Sequence, residues 1–135
     1  MSAIHRVIGF AVVAIFALGW IWGLGAKLVR RGPGDAYWTW LSAAQVVAGA
    51  QAVLGTILLI MGRRVTASGA MGGLLHYVYG YLPLLLFVVA HVVARAGTAK
   101  AVGIDRPIEP WVPFAWASFI SFGLTLRALM TGLGL

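Results

Sequence analysis

The chain contains no cysteine, so disulfides, covalently attached c-type haem, iron–sulfur clusters and thiolate chemistry are all excluded. Acid is almost as scarce. Its three carboxylates, Asp35, Asp105 and Glu109, fall in the predicted connections, which leaves every long apolar segment without one. Paired-carboxylate catalysis goes with them, and a proton-coupled transporter, which needs an intramembrane acid, becomes a poor reading. Charge of either sign is short: 10% of 135 residues, against about a quarter in a soluble domain, while 61% are hydrophobic. A water-soluble globule is not what such a composition builds. The solvent must be lipid.

The thirteen charged residues leave four charge-free stretches, 7–26, 36–62, 65–94 and 110–126, of 20, 27, 30 and 17 residues. About 20 apolar residues cross a hydrocarbon core, so each stretch can span once. No ten-residue alternating pattern supports a barrel, and the spans are predicted as helices at about 3–26, 37–61, 71–96 and 111–131. The connections between them carry Gly32, Pro33 and Gly34, then Gly62, and finally Gly97, Pro107 and Pro110. They are short, which makes neighbouring helices antiparallel. The expectation is one membrane domain over residues 1–135, all-α, a four-helix up-down-up-down bundle. The apolar run after Arg6 is too long for a signal peptide, so the first segment is expected to stay.

A net charge of +7 raises the question of nucleic acid, but the basic residues are scattered over loops and termini with no aromatic-interleaved basic face. Lipid headgroups are the better counterions. Lys27, Arg30, Arg31, Arg95, Lys100 and Arg106 go with the first and third connections, while Arg6, Arg63, Arg64 and Arg127 go with the termini and the second. The positive-inside rule then puts both termini outside. We expect an integral protein of a bacterial cell membrane. Trp20, Trp22, Tyr37, Trp38, Trp40 and Trp111 gather near one interface and Tyr77, Tyr79 and Tyr81 near the other, as aromatic belts do.

The ionisable groups inside the spans are histidines, with His5 opening the first helix and His76 and His91 in the third. An ionisable side chain in such a place is a functional candidate. His5 and His76 head helices that run the same way, and each is followed one turn later by a glycine, Gly9 and Gly80. A missing side chain there lets a flat macrocycle approach the backbone, so two His-x-x-x-Gly helices suit one haem b held by two axial imidazoles. Arg6, Arg63 and Arg64 fall on the same membrane face and are candidates to pair with its propionates. The plainer alternative makes His5 an interfacial residue and has His76 bond a neighbouring helix.

His91 lies 15 residues beyond His76, about 22 Å along the axis, too far to share that group. It reads as a quinone-bonding group, a ligand completed by another subunit, or a buried histidine bonding a carbonyl. Ser42, Gln45, Gln51 and Thr56 in helix two, and Ser118, Ser121 and Thr125 in helix four, suit bonding between helices or lining a quinone headgroup. Gly49, Gly55, Gly72, Gly73 and Gly123 are expected to allow close helix packing, and Pro83 to kink helix three. A faint repeat offset by 71 pairs His5, Gly9 and Phe16 with His76, Gly80 and Phe87, which suggests a duplicated helix pair.

Ser2-Ala3-Ile4-His5-Arg6-Val7-Ile8-Gly9 resembles the Ser-x-x-His-Arg-x-x-Gly start of the cytochrome b anchor of succinate dehydrogenase. There the serine and arginine flank the quinone, and a later His-x-x-x-Gly, matched here by His76 and Gly80, supplies a haem ligand. Tyr81-Leu82-Pro83 follows Gly80 where that family continues to an arginine, and this chain has a helix more than the three-helix anchor. Histidines on helices one and three of a four-helix unit also look like one half of haem A synthase. The resemblance implies a non-catalytic b-type cytochrome subunit that passes electrons between a quinone pool and the other membrane subunits of a larger respiratory or photosynthetic complex. The other reading is a haem-free structural or accessory subunit of such a complex.

Overall fold

The computed structural model describes residues 3–65 and 69–135 and is all-helical apart from its connections. Met1 and Ser2, the latter part of the amino-terminal motif, lie outside the described residues. Four long helices follow one another: α1 (Ala3–Leu28), α2 (Asp35–Ile60), α3 (Gly69–Ala96) and α4 (Val112–Leu133), with a single 3-10 turn at Lys100–Val102 before α4. All four are long and apolar enough to cross a membrane. Between its end turns a helix pairs its backbone amides internally, Pro83 in α3 excepted, which is what a segment in hydrocarbon requires.

The helix ends differ from the sequence-based expectation by up to two residues, and local chemistry accounts for two of the differences. Asp35 is not in a connection but is the first residue of α2, where its carboxylate meets the partial positive charge of the helix start. Two residues beyond its expected end, α1 stops at Leu28, after which Arg31 N–H returns to the Ala26 carbonyl at 3.1 Å. That closure puts Arg30 at φ 53°, the left-handed region where a side chain is strained. Pro83 is buried inside α3, and the helix continues through it.

Around the bundle the helices neighbour one another as α1, α2, α3, α4 and back to α1, with the α3–α4 and α1–α4 seams tight and the α2–α3 seam the thinnest. α1 and α3 face each other across the centre. Of the repeat's offset pairs, two meet ring to ring there: Phe16 and Phe87 stack with centroids 5.4 Å apart, and His5 and His76 lie 6.1 Å apart. Parallel helices facing each other across a bundle bring positions at the same height together in this way. Below the phenylalanine pair the core continues through Leu41, Phe114 and Tyr37. Tyr37 was expected in the interfacial belt but is fully buried, edge-on to Trp22 and Trp38, because α2 begins early enough to draw it inside.

Close packing in a membrane depends on small residues rather than on a hydrophobic drive between helices. The tight approach is at the α1–α4 seam, where a Cβ on Gly23 would sit 2.7 Å from that of Ala115 and one on Gly19 would be 3.2 Å from the Ser118 hydroxyl oxygen. Gly49 and Gly123, expected to serve this purpose, face open space instead. Gly23→Val should therefore destabilise the bundle by about 1–3 kcal/mol as an overpacking change. Thermal unfolding in detergent should show that loss, and adding Ala115→Gly should recover part of it; a Gly23→Val protein as stable as the parent contradicts the seam described.

Candidate functional site

A cavity of about 110 Å³ opens at the end of the bundle that holds the start of α1 and the α2–α3 connection. It belongs to a cleft whose whole atom-free space, counting the open side, is about 1000 Å³. All four helices line it, and six of the residues singled out from the sequence are brought together there: His5, Gly9, His76, Gly80, Arg63 and Arg64. Arg6, one position from a lining histidine, is exposed and is not part of the lining. Consecutive helical residues differ by about 100° in direction, so a neighbour of His5 faces elsewhere.

His5 is 6% exposed, buried rather than interfacial. Gln51 of α2 reaches it from the side: its side-chain amide donates to the His5 carbonyl at 2.9 Å and lies 3.5 Å from His5 Nε2. Across the cavity His76 sits seven residues past the start of α3, and its Nδ1 is 2.8 Å from the Ala128 carbonyl of α4. A carbonyl only accepts, so Nδ1 carries the hydrogen. The lone pair is then on Nε2. Bonding to a neighbouring helix, the plain expectation for His76, thus occurs and fixes the tautomer as an outer-shell carbonyl does for a metal-bound imidazole.

Two imidazoles bound trans to one metal at about 2.0 Å per bond have ring centres about 6 Å apart. The His5 and His76 rings are 6.1 Å apart with planes at 62°. Among the described residues no three of His, Asp and Glu gather as a site for a bare ion. Two nitrogens suffice only for a metal that arrives with its remaining ligands, as iron in a porphyrin does.

The glycines differ. A Cβ on Gly80 would meet nothing within 4 Å, whereas one on Gly9 would touch the Gln51 amide nitrogen and Leu129, each at 3.4 Å. Room beside the pair is therefore on the α3 side, where Gly80 and Tyr81 are exposed. Two tyrosines one turn apart stand on this side and tie α3 to α2 and its connection: the Tyr77 hydroxyl accepts from the Val65 N–H at 3.4 Å, and the Tyr81 hydroxyl bonds that of Thr56. A macrocycle larger than the cavity would have to use the open cleft at the α2–α3 seam.

Sequence reasoning did not foresee the Ala128 carbonyl, for which no residue type could signal. It named Gln51 as a polar group without its partner, and named Gly55 for close helix packing without the neighbour it admits, His5, whose Cε1 would be 3.4 Å from a Cβ on Gly55. His91 is elsewhere, and the expectation of a buried histidine bonding a carbonyl holds only in part. Its ring is exposed at the α2–α3 surface, pairs through Nε2 with Gln45 Oε1 at 3.2 Å, and stands edge-on to Phe114 at 4.8 Å.

No protein-family model, curated protein or solved structure matches this chain. Function therefore rests on the residues of the site. Gly80 separates backbone from space in a testable way. Gly80→Ala adds a methyl group to empty room and removes a helix-interior glycine, and should stabilise the purified chain by up to about 1 kcal/mol. A lower melting temperature in detergent would mean that the space beside Gly80 is not open.

Proposed function

We propose that this chain is a membrane b-type cytochrome subunit in which His5 and His76 hold one non-covalent haem b, and that it carries electrons between a quinone pool and the other membrane subunits of a larger respiratory or photosynthetic complex. The observation that supports it most is the facing histidine pair, with ring centres 6.1 Å apart and the His76 Nδ1–H held by a backbone carbonyl, so that the two imidazoles would hold the iron between them. Bound there, haem supplies a one-electron couple within the membrane. The residues of the chain bind it, orient it and set its surroundings. His76 offers Nε2 in a ring orientation fixed by Ala128, and the Gln51 amide holds the backbone of the His5 turn in place. Gly80 leaves room for a ring edge. Arg63 and Arg64, at the mouth, are placed to pair with two carboxylates, and their charge favours the reduced state.

The quinone end of this reading rests on His91. Its Nε2–H is directed at Gln45 and its Nδ1 can accept a hydroxyl proton, and both residues stand at the surface of spanning helices, where lipid gives a polar group no partner. It lies about 22 Å along the axis from His76, toward the other face.

The purified chain, supplied with haem, should give a reduced-minus-oxidised spectrum with sharp low-spin b-type bands, and His76→Ala should lose them while the protein still inserts as four helices. A flat spectrum in the parent protein removes the cytochrome reading and leaves the haem-free structural subunit. Gly80→Leu, by contrast with the alanine change, should lower haem occupancy, since its side chain fills the open room; unchanged occupancy and bands would separate the glycine from the site.

Replacing Arg63 and Arg64 together with Gln should lower the midpoint potential, because removing positive charge stabilises the oxidised form relative to the reduced one. Redox titration reads this directly. A potential that does not move, or rises, takes both arginines away from the cofactor.

A further inference from the structure

The histidine cleft is not the sole hollow among the described residues. A groove of about 500 Å³ lies at the opposite end, on the α1–α4 side, and shares no residue with that cleft. Trp20, Gly23, Leu24 and Lys27 of α1 form one wall at the spacing of a single helical stripe. From α4, Val112, Ala115, Trp116 and Phe119 repeat that spacing on the facing wall. Contact of Gly23 with Ala115 forms the floor. Arg106 and Trp111, from the α3–α4 connection, complete the rim.

Polarity in the groove changes along the membrane normal. Lys27, in the last turn of α1, and Arg106 stand at the water end, both exposed. Toward the membrane centre the walls become aromatic, with Trp20, seven residues before Lys27, about 10 Å deeper. No carboxylate lines the groove: Asp105 is outside it, and Glu109, from the same connection, accepts the Trp111 indole N–H. Trp116 and Phe119 are 62% and 45% exposed. The Trp20 indole nitrogen, by contrast, is buried and has no hydrogen-bond acceptor among the described residues. To be satisfied, that N–H must turn toward the groove its own ring lines, where an acceptor from outside the chain can meet it.

We propose that this groove binds one anionic diacyl phospholipid. Lys27 and Arg106 take its phosphate, the Trp20 indole donates to an ester carbonyl beneath the headgroup, and an acyl chain lies along Trp116 and Phe119. Two cations above an apolar, aromatic slot match an amphiphile with one negative head. A zwitterionic lipid has the same chains but brings its own cation to the phosphate. A partner helix would leave the two cations and the indole N–H unanswered. The site is independent of haem.

Native mass spectrometry of the full chain released from detergent tests it, with dioleoyl phosphatidylglycerol and dioleoyl phosphatidylcholine as probes. One phosphatidylglycerol should be retained at roughly thirtyfold lower lipid concentration than phosphatidylcholine, the scale expected of two cations near a headgroup. Lys27→Gln with Arg106→Gln should abolish that preference, whereas Lys100→Gln with Arg127→Gln, an equal loss of charge outside the groove, should keep it. Trp20→Phe should weaken retention of both lipids with the preference intact. Equal retention of the two lipids by the parent chain overturns the proposal, as does a preference insensitive to Lys27 and Arg106 but lost with Lys100 and Arg127. Displacement of the bound lipid by millimolar inorganic phosphate would mark a site for the free anion and also overturn it. Should the double variant fail to fold, the parent comparison and Trp20→Phe still decide.

Discussion

Hydrocarbon offers a backbone amide nothing to bond, and the rest of this structure follows from that constraint. Four helices pair nearly all their spanning amides internally, so the polar groups left to arrange are mainly side chains. With few charges in the spans and the acid Asp35 at the very start of α2, histidine, glutamine, serine, threonine, tyrosine and the tryptophan indoles carry the polarity of the bundle interior. Apolar burial does not pull helices together in lipid, so the seams form where backbones can approach. Gly19 and Gly23 against Ser118 and Ala115 draw α1 onto α4, while the α2–α3 seam has no equivalent and stays thin. Two tight seams, α1–α4 and α3–α4, and the loose α2–α3 seam leave a cleft with a closed back and an open side.

The polar side chains are used unevenly. Several bond within their own helix, as Ser42 does to the Trp38 carbonyl and Thr125 to that of Ser121, and position nothing. Three cross between helices around the two histidine positions of α3 and their partners: Gln51 to the His5 carbonyl, His76 to the Ala128 carbonyl, and Gln45 to His91. Ser118 and Ser121 are fully buried with hydroxyls that have no partner among the described residues, so at the α1–α4 seam their small size matters more than their polarity. The bundle is thereby divided along the membrane normal. Imidazoles and two arginines occupy one end, phenylalanine and tyrosine fill the middle, and a cation-rimmed aromatic groove occupies the other.

Much of this was legible in one dimension. Charge-free runs gave the four helices to within two residues, since hydrophobic length in lipid is nearly a direct reading of structure. Alternating direction put His5 and His76 at one end, and the offset of 71 linked positions that meet ring to ring at His5 and His76 and at Phe16 and Phe87. Helix periodicity also placed Gly9 and Gly80 on the histidine stripes. The same rule ought to have turned Arg6 away from the lining that its neighbour His5 joins.

Other features had no sequence signature. The carbonyl that fixes the His76 tautomer belongs to Ala128, and every residue has a carbonyl; which one is near depends on how α3 and α4 are rotated against each other. Gly23 and Gly49 look alike in the sequence, yet one makes a seam and the other faces open space, because azimuth around the bundle is set jointly by all four helices. Tyr37 became core instead of belt because α2 begins as early as Asp35, and the Lys27–Arg106 groove exists only because a connection 79 residues further along the chain folds back over α1. The sequence by itself determined the solvent, the number of spans, their directions and the end of the bundle at which the histidines stand, since these depend on hydropathy and chain order alone. Helix rotation, seam tightness and the partner of each polar atom were decided only by tertiary structure, since they depend on contacts between residues that the chain keeps far apart.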